Sequence, residues 1–460
     1  LLILKKSLNM KKGNIKMNIV NPNAAGIDIG SRSHFVAVGQ DDNEIQEFGV
    51  YAEDLTAICN YLSEHNVKTV ALESTGDYWQ NLFTELIKHE FEVILVNGKF
   101  TKNAKGKKTD VKDARWIQQL HSLGLLSSSF LPDHETEIIR TFYRQRSNII
   151  RQISGASRKM QKYLKFLNFR LDVVVKDVCG LTGLKIIEDI CGGNLDPIVL
   201  AKHRHYNCRK PEEEIAKALH GNNRADFLFG LKQEFETYKF LQKQLKQCDK
   251  EIEKALKLFL NKNPEQKKLK FNSNPYKRKN KNAPEVKDFE KKAFQFFGGV
   301  DFMAIEGVSH ATVLSIMSEI GRSGFKKFQS AKHFASWLRL APNNKISGGK
   351  LLSNKLPKGS NRLKIALRQA ANAIGNLKDT HLSDFFKRVA FRRGRQAAVS
   401  ATARKLAVII WNMVTKNEPY NPPSIYMFRD EKRKLGLIKR IRKQITKFDI
   451  NLADVGFSTT

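Results

Sequence analysis

The chain has 460 residues, 41% of them hydrophobic, which suits two to three domains with real cores and excludes a disordered protein. Its 80 Lys and Arg against 46 Asp and Glu give a formal net charge of +34, an excess whose default partner is nucleic acid, through phosphate neutralisation and counterion release. Five widely spaced cysteines without a Cys-x-x-Cys pair argue against a zinc ribbon or disulfide framework and suit a reducing cytoplasm, and no run of about 18 uncharged apolar residues suggests a membrane-spanning helix.

Residues 1–21 read as an extension ahead of the fold: Leu-Leu-Ile-Leu is too short for a signal sequence, and Met10 or Met17 would serve as a start. Residues 24–30, 33–39 and 44–50 then read as three strands of an antiparallel meander, with Asp41-Asp42-Asn43 supplying turn chemistry. A helix over 53–65, a strand over 68–73, a helix over 78–90, a strand over 92–96 and a helix over 110–122 follow. Three strands and then alternating helix and strand describe a mixed α/β sheet, the order expected of an RNase H-like fold, over residues 22–133. Residues 134–260 turn long and helical. Ile138, Phe142, Ile149, Ile153 and Met160 recur at helical spacing, and Phe235, Tyr238, Leu241, Leu245, Ile252 and Leu256 mark a coiled-coil-like seam after a break near Gly221-Asn222-Asn223. That seam suits either self-association or a helical hairpin within one chain. Residues 261–287 are basic and Pro/Asn-rich, as a linker is; a further folded unit, mainly helical, spans 288–417, and a basic tail with a helix closes the chain over 418–460.

Four acids carry the chemistry. Asp28 lies in the apolar run A-A-G-I-D-I-G, which ends in a glycine turn, Glu73 ends T-V-A-L-E, and Asp110 and Asp113 lie three apart in K-T-D-V-K-D-A, hence on one face of a helix if that segment is helical. Acids at strand ends and at the opening of a helix can converge. Converging carboxylates offer the hard oxygen ligands that magnesium prefers, and a pair of such ions activates both oxygens of a phosphodiester. Each acid alone also has a plain reading as a solvated or capping residue, Asp110 above all, because Thr109 before it suits a helix start.

Three other segments stand out. Ile305-Glu306-Gly307-Val308-Ser309-His310 is a glycine turn opening an apolar helix, as in helix-hairpin-helix elements that aim N–H groups at a DNA phosphate, with Ser309 where a second glycine is usual. Ser347-Gly348-Gly349-Lys350 could present a hydroxyl on a backbone-permissive turn among lysines, or be an ordinary loop; a basic helix follows from Lys355-Leu356-Pro357-Lys358-Gly359-Ser360-Asn361-Arg362 through Ala373. His203, His205 and Cys208 have metal-binding chemistry but no evident fourth ligand.

Taken in order, G-I-D-I-G, A-L-E-S-T-G-D-Y-W, K-T-D-V-K-D-A, I-E-G-V-S-H-A-T-V-L, F-A-S-W-L-R-L-A-P and I-S-G-G-K resemble the DEDD-type insertion-sequence transposases over residues 22–415. The resemblance implies a RuvC-like N-terminal domain whose acidic tetrad is Asp28, Glu73, Asp110 and Asp113 with bound Mg2+ or Mn2+, and a C-terminal serine domain whose nucleophile is Ser347. It implies DNA strand cleavage and exchange through a phosphoserine, guidance by a structured RNA, insertion-sequence ends and target DNA as partners, a homo-oligomer, and a bacterial cytoplasmic, nucleoid-associated location with no membrane partner. A RuvC or RNase H-like nuclease would use the acids without Ser347. An actin-like kinase or ATPase would share Asp28-Ile29-Gly30-Ser31 but needs a second Asp-x-Gly loop and a Gly-rich adenosine motif, where this chain has the K-T-D-V-K-D helix and a basic tail.

Overall fold

The computed structural model describes residues 18–40, 44–74, 76–101, 109–272, 278–359, 361–423 and 428–449. The extension up to residue 17, the turn residues Asp41-Asp42-Asn43, Ser360 and residues 450–460 of the tail therefore lie outside the described residues. The chain divides into two compact units, residues 1–131 and 132–460.

The first unit is built on a mixed five-stranded sheet. It comprises β1 (Ala24–Ile29), β2 (His34–Ala37), β3 (Ile45–Phe48), α1 (Ala52–Glu64), β4 (Thr69–Glu73), α2 (Trp79–Lys88), β5 (Glu92–Val96), the short α3 (Gly98–Thr101) and α4 (Asp110–Ser122). The strand order is β3-β2-β1-β4-β5; β1, β2 and β3 run antiparallel, while β4 and β5 continue parallel to β1. Alternation decides what each face buries. Ala25, Ile27 and Ile29 of β1, with Val70 and Leu72 of β4, enter one core with Ile58 and Leu62 of α1 and Leu82 and Leu86 of α2. The opposite face of β1 and β4 is left to α4.

The second unit is almost wholly helical. Its frame is the pair α5 (His134–Phe166) and α10 (Ala225–Lys262), with α6 (Leu171–Val174), α7 (Leu181–Cys191), α8 (Pro197–Ala201) and α9 (Glu212–Lys217) between them in sequence. Ile149, Ile153, Met160 and Leu164 of α5 share a core with Leu231, Phe235, Tyr238 and Leu245 of α10, so the apolar stripe of α10 packs on α5 of the same chain. Inside this hairpin Arg146 Nε donates to Asp249 Oδ1 at 2.6 Å, with the two side chains only 3% and 2% exposed. Arg146 also donates to the carbonyls of Asn282 and Ala283, and Asp249 accepts from the Glu285 N–H, so part of the basic 261–287 stretch is tied to the hairpin.

The chain continues through α11 (Pro264–Lys267), α12 (Phe289–Phe296), α13 (His310–Glu319), α14 (Ala331–Trp337), the hairpin β6 (Lys345–Ser347) and β7 (Lys350–Ser353), α15 (Arg362–Ile374), α16 (His381–Lys416) and α17 (Phe428–Phe448). Nearly every residue of α13 is buried, and Arg144 of α5 grips its Glu319 with Nε 3.2 Å from Oε1 and Nη2 2.9 Å from Oε2. By length and composition α16 passes as long and apolar enough to cross a membrane, although Arg404 and Lys405 keep it from being an uncharged run, as the sequence reading expected. Its Ala398, Ala403, Leu406, Ala407 and Ile410 are buried, and α16 packs on α14 and α15, as the core helix of a folded domain does.

Candidate active site

Asp28 is set apart from the hydrophobic core by strand alternation alone. With Ile27 and Ile29 committed to the core, Ala24, Gly26 and Asp28 face α4. On β4 the same rule turns Thr69, Ala71 and Glu73 to that face, and Thr69 Oγ1 lies 2.9 Å from His121 Nε2 of α4. Ile27 is opposite Leu72 in the parallel ladder, so Asp28 and Glu73 are the next neighbours at the strands' C-terminal ends.

The direction of α4 brings the other two acids to the same end. Its last residues lie beside the start of β1, where Val20 and Asn21 donate their N–H groups to Ser122 O at 2.8 and 2.9 Å. Its first turn, with Asp110 and Asp113, therefore lies toward the end of β1. Gly26 sets the seating: a Cβ there would fall 2.2 Å from Gln118 N and 2.7 Å from Ala114 O, so the helix backbone rests directly on the strand. From Ala114 back to Asp110 the helix advances about 6 Å at ~1.5 Å per residue, and from Gly26 to Asp28 the strand advances about 6.6 Å at ~3.3 Å per residue. Asp110 ends level with Asp28, and Asp113 lies about 4.5 Å short of it along the helix axis, in the same turn.

Local contacts hold this edge in place. Thr101 Oγ1 donates to Glu73 Oε2 at 2.5 Å, and a Cβ on Gly98 would fall 2.4 Å from Glu73 Oε1, so a side chain at 98 would displace the carboxylate from this position. Thr109 caps α4 through the Lys112 N–H, and both acids sit in its first turn, where the helix dipole favours negative charge. Farther along α4, the buried Arg115 donates to the carbonyls of Val38 and Gly39 at 3.0 and 3.3 Å, and Gln118 Nε2 to Gly39 O at 2.6 Å. These bonds lock α4 to the end of β2. Asp28, Glu73 and Asp113 are half-buried and Asp110 is exposed. Burial lowers the pKa of His121 at the far end of α4, and also that of His34 on the core face, where nearby Asp54 opposes the shift.

As a donor set for a divalent cation, four carboxylates at one end of a sheet fit a hard, oxygen-preferring ion. Among the described residues no three such side chains close to metal-ligating distance, so the set shares one end of the sheet but is not drawn in. His203, His205 and Cys208 are not drawn together either. His203 Nε2 pairs with Asp189 Oδ2 at 2.6 Å, His205 lies against the Tyr206 ring, and the Cys208 thiol is turned to Val174 O.

In the second unit Ser347 is the last residue of β6, opposite Lys350, at the end of a two-residue hairpin turn. Gly348 and Gly349 have φ of +54° and +73°, the pair of left-handed residues that a tight hairpin turn demands. The serine and the lysines at 345 and 350 are exposed. The Asn343 N–H donates to Lys355 O at 3.0 Å across the neck of this loop. Farther along the chain, Lys364 of α15 is buried and held below the ordinary lysine pKa, by burial first and then by Arg368 and Arg339.

The other glycine turn serves the protein interior. Ser309 Oγ accepts from the Thr312 N–H and so caps α13, His310 is buried against Glu290, and a Cβ on Gly307 would fall 2.4 Å from Ile374 of α15. The close approach that requires glycine here is to another helix.

A family model described as "Transposase", of the DEDD IS110 type, matches residues 25–169, which hold all four acids. A second, described as "Transposase IS116/IS110/IS902 family", matches residues 301–387, which hold Ser347. The chain belongs to the IS110 transposase family. Among curated relatives, this IS110-type chain is 26% identical over 125 residues to a Pseudomonas aeruginosa protein named "Probable family 20 transposase", covering 26% of the chain and 36% of the relative. It is 30% identical over 121 residues to the Coxiella burnetii "Transposase for insertion sequence element IS1111A", covering 25% of the chain and 33% of the relative. The matched stretches thus span about a third of the length of either relative.

Sequence reasoning missed Thr101 and Gly98, which hold Glu73, and Arg115 and Gln118, which hold α4. Only Gly26 carried a usable signal: an isolated glycine within an apolar strand marks a close backbone approach.

Proposed function

We propose that this IS110-type chain is the recombinase of an insertion sequence, cutting and exchanging DNA strands with four carboxylates and a serine. The observation that carries the reading is the placing of Asp28, Glu73, Asp110 and Asp113 toward one sheet end by α4. The strand order 3-2-1-4-5, with its first three strands antiparallel, supports an RNase H or RuvC-like assignment for this unit. The acids would hold Mg2+ or Mn2+, which when bound supplies charge neutralisation at the scissile phosphate.

Ser347 is the proposed nucleophile. Its Oγ forms a bond to phosphorus as one bridging P–O bond of the strand breaks; the departing oxygen takes up a proton and the seryl proton passes to solvent. Attack by the hydroxyl of an incoming strand end on the phosphoserine reverses the sequence and regenerates the serine. Lys345 and Lys350, beside Ser347 on the hairpin, place positive charge next to the phosphate. The net charge of +34 supports DNA and a structured guide RNA as partners, and we take the active form to be a nucleoid-associated homo-oligomer.

The test is strand exchange by the purified protein with its co-purifying RNA. Asp28→Asn and Ser347→Ala should each abolish exchange, and sequencing should recover one discrete RNA species. Exchange at the normal rate in Ser347→Ala would instead favour a nuclease that uses the four acids alone. Absence of an enriched RNA would remove the guide from the reading.

A further inference from the structure

The long helix α16 contains a built-in break. Gly394 has φ +80° and ψ 165°, a region that essentially only glycine occupies, and a Cβ there would meet nothing within 4 Å. The glycine is therefore required by backbone conformation and not by space. Just before the break stands Phe391, 93% exposed, and Arg388, Arg392 and Arg393 of the same stretch are exposed as well.

This knuckle is held from both sides. On one flank Phe386 is buried against Gly375 at the end of α15, where a Cβ would fall 2.6 Å from its ring. On the other, Arg395 Nη2 donates to Asn372 Oδ1 at 2.8 Å and to Asn376 Oδ1 at 3.0 Å, both on or just after α15. The phenylalanine is thus presented by a fixed support. A single aromatic ring is too small for a stable protein interface, and an apolar partner would not select the arginines beside it. A nucleic-acid strand matches both features: every base offers a π-face, and every linkage offers a phosphate.

We propose that the Phe391 knuckle is a nucleic-acid contact in which the ring stacks on an unpaired base while Arg388, Arg392 and Arg393 meet the adjacent phosphates. The inference rests on the reading of this chain as a nucleic-acid recombinase, and it is tested by binding, which requires neither the acids nor Ser347. Unpaired bases arise in DNA whenever strands are exchanged and in the loops of a folded RNA, so both sources are probed.

The full-length protein is titrated against labelled fully paired DNA duplex, the same duplex with one unpaired adenine, and single-stranded DNA and RNA of matching sequence. Wild type should bind the probes with unpaired bases more tightly than the paired duplex. Phe391→Ala should weaken the probes with unpaired bases about tenfold or more while leaving the paired duplex within about twofold, and Phe391→Trp should restore binding. Loss confined to RNA or to DNA supports the contact and names its source. Arg392→Ala with Arg393→Ala should weaken every probe and lower the slope of log affinity against log salt by about 2 on duplex. Phe391→Ala binding every probe within about twofold of wild type, or weakening paired and unpaired probes equally, overturns the proposal. So does a change of oligomeric state in Phe391→Ala with binding intact. Melting temperature should not move, since the ring is exposed. Strand exchange lost in Asp28→Asn while its binding persists separates this contact from the chemistry.

Discussion

Replacing Gly26 by alanine adds one methyl group where the structure leaves no room for it. The new Cβ would lie 2.2 Å from Gln118 N, and ordinary van der Waals contact begins at 3.4 Å, so α4 would have to retreat by about 1.2 Å. The neighbouring atoms are backbone and cannot swing aside. The retreat carries Asp110 and Asp113 with the helix, away from Asp28 and Glu73 on the strands. Overpacking of this kind costs roughly 1–3 kcal/mol of stability. A displacement of about 1 Å among catalytic groups costs on the order of 100-fold in rate. The assay is single-turnover cleavage of a labelled insertion-sequence end, run beside a thermal melt. Gly26→Ala should stay folded with a lowered melting temperature and lose about two orders of magnitude in cleavage. A variant that keeps wild-type cleavage would refute the claim that the seating of α4 sets the register of the acids.

Other consequences follow from the contacts around the two units. Thr101→Val removes the hydroxyl on Glu73 and should slow cleavage about tenfold with little change in melting temperature, while Thr101→Ser should restore the rate; equal activity in Thr101→Val would exclude a positioning role. Asp249→Ala strands Arg146 inside the α5–α10 hairpin and should cost about 3–5 kcal/mol in denaturant unfolding, whereas the double change Arg146→Met with Asp249→Leu should recover most of it. A single change costing under about 1 kcal/mol would contradict the buried pairing. Glu253 is held down to about 2 by hydrogen bonds from Lys257 and then, against the opposing effect of burial, from Lys292 and the Lys287 N–H. A depressed carboxyl stabilises the fold above its ordinary value of 4.5 and loses that contribution as pH falls toward about 2. The stability difference between wild type and Glu253→Gln should therefore be constant above pH 5 and narrow below 4.5; a constant difference down to pH 3 would be inconsistent with the depressed value.

Much of the first unit was legible because its signals are local. The apolar runs A-A-G-I-D-I and T-V-A-L-E marked both strands and placed Asp28 and Glu73 toward their ends. The limits of α4 were equally readable, since Thr109 caps it and the apolar spacing carries through to Ser122. What brings those elements to one level was not. The contact of Gly26 with Ala114 and Gln118 spans about ninety residues, and no periodicity encodes it. Thr101 lies five residues beyond β5, at the end of a helix of only four residues, too short for a periodicity to announce it. In the second unit the heptad-like stripe of α10 was visible, but the same stripe serves a partner chain or a neighbouring helix equally well. The pairing with α5 is decided by Met160, Phe235 and their neighbours meeting in one core. At Ser347 the sequence offered only a permissive turn. The strands β6 and β7 carry exposed Ile346, Leu351 and Leu352, so no buried face marks them as strands.

The most direct test of the account is peptide mapping of the protein after incubation with its DNA substrate under denaturing quench. Wild type should carry a phosphodiester-linked nucleotide on Ser347, missing from both Ser347→Ala and Asp28→Asn. Efficient strand cleavage with no adduct on Ser347, or with the adduct on another residue, would contradict it.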